Sequence, residues 1–308
     1  MRLAALSVDL DEIPCYAAIH GLRVPSGSEH AIYDHAVARL EALFASEGIP
    51  ATFFAIGSDL AREENRATLK RLHDAGHEIA SHSESHLYDL TRRDDATIER
   101  EIARAEASIE GAVGERPVGF RAPGYTITDA VLGHLTQRGY LYDSSVFPCL
   151  AYYAAKAAAI SAIALAGRQS RSIVDHPRVL RAPADPYRIG ARYPERGAGL
   201  LELPIGVTRG ARLPYIGTSV TAGTLAARAL TAQMIGRPLV NLELHGIDLS
   251  DARGDGLTWL APHQLDLRRT AADKERALRA AIGALRRAGY AFVTLREAAC
   301  SLGAAPRR

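Results

Sequence analysis

The sequence predicts an α/β fold built on a mainly parallel sheet with helices outside it. Along most of the chain, short runs typical of β-strands alternate with longer runs in which apolar residues recur at helical spacing. Glycines follow several of the helical runs, as is common where a helix ends. Repeated β–α units in a chain of 308 residues favour a barrel or an open, doubly wound sheet.

The predicted elements follow one another in a regular order. The runs predicted as strands are 3–8, 51–56, 78–81, 118–121, 200–205, 239–244 and 290–295. The runs predicted as helices are 30–46, 60–75, 94–113, 129–138, 225–235 and 270–288. The alternation breaks over 147–198, which contains an alanine-rich run at 152–165. For that run we favour a helix in the core over a segment that contacts a lipid tail.

Charge and cysteine content exclude several classes of protein. The chain has 37 Lys and Arg against 35 Asp and Glu, a net charge of +2, and a dedicated nucleic-acid-binding protein usually carries a much larger basic excess. Its three cysteines, Cys15, Cys149 and Cys300, lie far apart and give no disulfide framework. The apolar runs are too short for a signal-peptide core or a transmembrane helix. We therefore expect a cytoplasmic protein, with the inner face of the membrane as the alternative location.

Polar residues follow four predicted strands at the point where each strand ends. Asp9 and Asp11 close the first strand, His82 follows the third, Arg121 ends the fourth, and His245 follows the sixth. In parallel α/β folds the active site lies at the carboxyl ends of the strands, because the βα loops converge there. The sequence therefore predicts that these residues meet at one edge of the sheet.

Two of these groups have the residue types of a metal site. His82 and His86 are four residues apart and would share one face of a helical turn, close enough for both rings to reach one divalent ion. Asp9 and Asp11 point the same way if the strand continues, so that one could bind the ion while the other acts as a base. The alternatives are a solvated polar loop with an incidental histidine pair and an aspartate that caps a turn.

The other two groups could orient and protonate a substrate. Arg121 at a strand end can hold a carboxylate, and the Pro123–Gly124 turn after it can aim a backbone N–H into the site. His245 leaves an apolar strand. The alternatives are a tight turn with a surface arginine and a structural histidine.

The ordered set of motifs resembles one family. Asp9-x-Asp11, His82-Ser83-x-x-His86, Arg121-x-Pro123 and Leu242-x-Leu244-His245 are similar to the polysaccharide deacetylase family, the NodB-homology group or carbohydrate esterase family 4. The resemblance implies an α/β fold that is a distorted (β/α)₇ barrel. It also implies a single barrel domain over 1–308, with an insertion at about 147–198.

The resemblance also implies roles for individual residues. The ligands of a divalent metal, zinc first and cobalt, nickel or iron as alternatives, would be Asp11, His82 and His86. The catalytic groups would be Asp9 as general base, Arg121 holding Asp9, His245 as general acid, and Asp143 as the carboxylate that tunes this histidine. A backbone N–H of Gly124 or Tyr125 would stabilise the oxyanion.

The activity that follows is hydrolysis of an N-acetyl or N-formyl group on an amino sugar or sugar conjugate. Seven arginines against three acidic residues between 168 and 196 are mostly a solvated surface, but they could also form a basic wall for a phosphate-linked or lipid-linked sugar. Three alternatives remain: a metal-independent cyclic amide hydrolase of the same superfamily, an iron oxygenase with two histidines and one carboxylate, and a catalytically inactive carbohydrate-binding protein.

Overall fold

The structure, a computed structural model, describes residues 2–303 of the chain. Its strands, in chain order, are β1 (Arg2–Asp9), β2 (Thr52–Ala55), β3 (Glu78–Ser81), β4 (Gly119–Phe120), β5 (Tyr142–Asp143), β6 (Tyr187–Ile189), β7 (Arg196–Glu202), β8 (Leu239–His245) and β9 (Tyr290–Phe292). Its helices are α1 (Ile13–His20), α2 (Val37–Glu47), α3 (Glu63–Asp74), α4 (Asp95–Val113), α5 (Asp129–Gln137), α6 (Leu150–Leu165), α7 (Gly217–Val220), α8 (Thr224–Met234), α9 (Ala271–Arg287) and α10 (Leu295–Gly303).

Among the described residues the sheet has nine strands, and seven of them run parallel in the order β7-β5-β4-β3-β2-β1-β8. The chain beyond β7 bridges its two ends, because the Ile205 N–H donates to the Val146 carbonyl and the Gly206 N–H donates to the Asn241 carbonyl, each at 3.0 Å. The sheet thus curls into the predicted distorted (β/α)₇ barrel, and the fold class is confirmed. β6 pairs antiparallel with β7, and β9 pairs with the first residues of β1.

Alternation along β1 separates the core from the barrel interior. Leu6 and Val8 belong to the main apolar core, together with side chains of α2 and α9. Ser7 and Asp9 point the opposite way and contact Arg121 inside the barrel. The same strand therefore supplies both packing residues and polar residues.

Some elements differ from the sequence-based prediction. The structure adds the strands β5 and β6 and the helices α1 and α10, which are short or have no strong periodic pattern. β7 ends at Glu202, three residues before the predicted strand end, and α2 begins at Val37 after a π-helical turn over Ile32–Ala36. That the segment 147–198 is an insertion in a single domain stays a proposal; it contains α6 and β6.

The expectation of a core helix in the alanine-rich run is wrong. Of the residues of α6, only Ile163 is buried, and most of the others are exposed. Periodicity could not reveal this, because the run has nearly no polar residues to mark a solvent face. Among the described residues, no helix combines the length and the apolar character that crossing a bilayer requires.

Candidate functional site

Asp11, His82 and His86 meet at the carboxyl edge of the sheet. The Asp11 carboxylate lies 3.3 Å from the Nε2 atoms of both histidines, through Oδ1 to His82 and through Oδ2 to His86. One donor atom from each residue lies within 4.8 Å of the others, and all three side chains are buried. The sequence analysis named these three residues, and the structure brings them together.

The backbone explains how these side chains converge. The Leu10 N–H donates to the Phe54 carbonyl at 3.0 Å, so the chain stays extended beyond β1 and Asp11 faces the same side as Asp9. The sequence analysis assumed that the two histidines share a helical turn. In the structure they lie on a turn that is not helical, because Ser83 (φ 65°) and His86 (φ 48°) both have left-handed backbone conformations. The carbonyl of Ser83 accepts from the Gly57 N–H at 3.0 Å, which ties this turn to the end of β2.

The three residues fit a divalent cation. His82 Nδ1 lies 2.7 Å from the Arg121 carbonyl, so that nitrogen carries the proton and Nε2 presents its lone pair. Asp11 Oδ1 and both ring nitrogens of His86 are buried without a hydrogen-bond partner in the described structure. Burial by itself raises the pKa of Asp11, but the two histidines lower it well below its usual value. An anionic carboxylate with two neutral imidazoles is a typical donor set for zinc and related ions.

Asp9 lies beside this triad, and Arg121 holds it. Arg121 Nη1 donates to Asp9 Oδ1 at 2.6 Å, while Nη2 donates to the hydroxyls of Ser7 and Ser144 at 2.8 and 3.0 Å. Asp9 Oδ2 has no hydrogen-bond partner and lies 3.8 Å from His82 Nε2. Both Asp9 and Arg121 are fully buried, so one oxygen is fixed and the other faces the triad.

His245 lies close to both Asp9 and Asp11, with a carboxylate at its other ring nitrogen, and one donor atom each of Asp9, Glu243 and His245 lie within 4.8 Å of one another. Its Nδ1 lies 3.0 Å from Glu243 Oε1, and its Nε2 lies 4.0 Å from Asp11 Oδ2 and 3.3 Å from the Tyr125 hydroxyl. Burial lowers the pKa of His245, but Glu243 and then Asp11 more than offset this, and the pKa is well above its ordinary value.

The carboxylate next to His245 is therefore Glu243 and not Asp143, which the sequence analysis named for this contact. Asp143 accepts from the Ser145 N–H and hydroxyl at 3.2 and 2.7 Å, and it neighbours Glu202. Burial raises the pKa of both Asp143 and Glu202. Glu243 could have been found in the sequence, since it precedes His245 by two residues on one strand and so faces the same side.

The turn after Arg121 contains the two predicted backbone donors, Gly124 and Tyr125. Gly124 and Tyr125 are both left-handed, with φ of 62° and 57°. The Tyr125 N–H donates to the Ala122 carbonyl at 3.1 Å, so of the two predicted oxyanion donors the N–H of Gly124 is the one left for a ligand. Lys156 of α6 donates to the Gly124 carbonyl at 2.7 Å, and burial lowers the pKa of this lysine to about 8.

These groups surround a cavity of about 150 Å³. Its lining includes Asp11, His245, Gly124, Tyr125, Tyr152 and Lys156. The cavity therefore joins Asp11 of the triad, His245 and the Gly124 turn to α6.

Comparison with known proteins agrees with this geometry. The family model described as polysaccharide deacetylase matches residues 27–142. The chain is 26% identical to the peptidoglycan deacetylase of Helicobacter pylori over 149 residues, which are 47% of this chain and 49% of that protein. It is 38% identical to the peptidoglycan-N-acetylglucosamine deacetylase of Bacillus cereus over 90 residues, 29% of this chain and 40% of that protein. The chain thus spans no more than half the length of these curated relatives.

Solved structures share the fold over nearly the whole chain. A Mycobacterium smegmatis protein assigned to the polysaccharide deacetylases has a TM-score of 0.59 and 20% identity, and the match covers 100% of this chain and 93% of that one. A family 4 acetyl xylan esterase from Clostridium thermocellum, solved with a cobalt ion, has a TM-score of 0.50 and 17% identity, with 99% and 93% covered. At these identities the likeness concerns the fold alone.

Proposed function

We propose that this chain, whose residues 27–142 match the polysaccharide deacetylase family model, is a metal-dependent hydrolase that removes an N-acyl group from an amino sugar. The observation that carries the proposal is the meeting of Asp11, His82 and His86 next to the Asp9–Arg121 pair. The bond that would be hydrolysed is the carbon–nitrogen bond of an amide that is not a peptide bond.

Asp11, His82 and His86 would hold the divalent ion, with zinc as the first choice. A bound ion of this kind supplies Lewis-acid polarisation and lowers the pKa of water. Three protein ligands leave coordination positions open, as in catalytic and not in structural sites. The remaining chemistry falls to the side chains around them.

Asp9 would act as the general base. Its Oδ2 would take a proton from the attacking water, because that oxygen has no hydrogen-bond partner among the described residues, while Arg121 fixes Oδ1. The Gly124 N–H would donate to the oxygen that becomes negative as the acyl carbon turns tetrahedral.

His245 would act as the general acid. Its Nε2 faces the cavity, and Glu243 at Nδ1 keeps the ring protonated until the leaving nitrogen takes the proton. This donor is needed because an amine leaves readily and an amide anion does not. Glu243 is a positioning residue, since it acts through the ring and does not touch the substrate.

Replacing Glu243 with Gln should lower kcat and move the alkaline limb of the kcat pH profile to lower pH. The neighbouring carboxylate raises the pKa of His245, so its removal lowers that pKa and the acid form is lost earlier as pH rises. Initial rates across pH measure this, with the exposed Glu110→Gln on α4 as the matched control. An unshifted alkaline limb would show that Glu243 does not tune the acid.

We further propose that the acyl group is acetyl or formyl and that the sugar carries a phosphate or lipid linkage. Arg171, in the arginine-rich segment, lines a groove that also contains His86 of the triad, and this supports an anionic group near the site. The complete ligand set disfavours a metal-independent cyclic amide hydrolase. The pairs Asp9–Arg121 and Glu243–His245 disfavour an inactive sugar-binding protein.

The decisive experiment is a screen for acetate and formate release from N-acyl sugars, including polymeric, nucleotide-linked and lipid-linked ones. The protein is stripped with a chelator and then reloaded with Zn²⁺ or Co²⁺. We expect release that disappears on stripping and returns with metal. Release that persists in the stripped protein would favour the metal-independent hydrolase, and sugar binding without release would favour the inactive protein.

A further inference from the structure

The outer face of α6 is apolar and open to solvent. Leu150 and Leu165, at its two ends, are 64% and 90% exposed. Between them, the exposed residues are Ala151, Ala154, Ala155, Ala158, Ala159, Ser161, Ala162 and Ala164. The single charged residue of the helix, Lys156, turns inward to the Gly124 carbonyl. The helix therefore presents about 24 Å of surface without a charge, at 1.5 Å per residue.

Basic residues border this face, and acidic ones are absent from its stretch of chain. No Asp or Glu occurs between Asp143 and Asp175, whereas Arg168 and Arg171 follow the helix closely. Arg171 is exposed, and Arg168 is half-buried and donates to the His20 carbonyl at 3.0 Å. An apolar helix face next to arginines is the pattern by which proteins lie on anionic lipid surfaces.

We propose that α6 docks onto the surface of a bilayer that contains anionic lipids. The apolar face would enter the boundary between headgroups and acyl chains, and Arg171, with Arg168 at the end of α6, would contact the headgroup phosphates. A second copy of this chain is a poorer occupant. One helix face of these dimensions offers only roughly 240 Å², whereas a stable interface needs about 800 Å² per partner.

Docking in this way would place the catalytic cavity at the membrane. Tyr152 and Lys156, on the inner side of α6, line the cavity that His245 also lines. The same helix is thus a wall of the site on one side and the docking face on the other. Substrate could then enter from the plane of the lipid headgroups.

The test is sedimentation of the full-length protein with vesicles. One set contains phosphatidylcholine alone, and the other contains phosphatidylcholine and phosphatidylglycerol in equal parts. We expect binding to the anionic vesicles, weak binding to the neutral ones, and release at high salt. The variant Ala154→Glu with Ala158→Glu should lower the bound fraction about tenfold, because it puts two carboxylates into the apolar face.

The matched control is Ala67→Glu with Ala229→Glu, which adds the same charges at exposed positions of α3 and α8. It should bind as the wild type does, and circular dichroism should show both variants folded, since Glu is a good helix former. Equal binding by both variants would overturn the proposal. The absence of binding to anionic vesicles would also overturn the proposal. That holds whether the protein is a monomer or forms a dimer that the Ala154→Glu, Ala158→Glu variant dissociates. Neither result depends on catalysis.

Discussion

Asp9→Asn should lower kcat by a factor of about 10²–10⁴, the usual contribution of a general base, and should leave the metal content unchanged. The amide oxygen of asparagine can still accept from Arg121 Nη1, so the ring of contacts around Arg121 stays in place. What is lost is the negative charge that takes the proton. The proposed metal ligands Asp11, His82 and His86 are untouched. Deacetylation rates and metal analysis of the purified protein measure the two effects separately.

The substitution also leaves the buried guanidinium of Arg121 without a counter-charge, which can cost about 3–5 kcal/mol of stability. The melting temperature must therefore be measured with the rate, and activity compared well below it. The exposed Asp74→Asn on α3 is the control for loss of one carboxylate. Turnover near that of the wild type in folded Asp9→Asn would remove Asp9 as the base.

His82→Ala should abolish both metal binding and activity. The loss removes one of three ligands, and the Arg121 carbonyl loses the ring N–H that it accepts from. The metal content of the purified protein should fall from about one ion per chain toward zero, because three protein ligands are the usual minimum for a catalytic site. His86→Ala gives a second test should the first variant fold poorly.

The control for this pair is His35→Ala, which removes an exposed histidine far from the triad in the sequence. It should keep full metal content and full activity. Retention of the metal in both His82→Ala and His86→Ala would refute the ligand assignment. Loss of activity with the metal retained would mean that these histidines serve the reaction in another way.

The sequence was sufficient to predict where the site lies, because the geometry of parallel strands requires it. Asp9, His82, Arg121 and His245 each follow a buried strand, and parallel strands end at one edge of the barrel. The pairing of Asp11 with both histidines follows once those ends are adjacent.

Other features depend on tertiary contacts that no local pattern encodes. The turn that carries His86 takes its left-handed shape from contacts with the end of β2, and nothing in the spacing of the two histidines distinguishes it from a helical turn. Glu243 was missed although its two-residue offset from His245 was visible. Asp143 was preferred through the family resemblance, and in the structure its contacts go to Ser145 and Glu202.

The exposure of α6 was unpredictable for a different reason. A run of alanines has the propensity to be helical, but it lacks the polar residues that would reveal which face meets water. The packing of Ile163, Tyr152 and Tyr153 and the inward contact of Lys156 set the orientation.

The buried polar atoms that lack hydrogen bonds around the triad have a thermodynamic consequence. Asp9 Oδ2, Asp11 Oδ1 and the two ring nitrogens of His86 are buried without a hydrogen bond among the described residues, and such a group costs about 1–3 kcal/mol where no neighbouring charge offsets it. A cation that binds only the native chain repays part of this cost and shifts the unfolding equilibrium by mass action. The metal supply of the cell would then set how much of this protein survives proteolysis, in addition to how much of it is active.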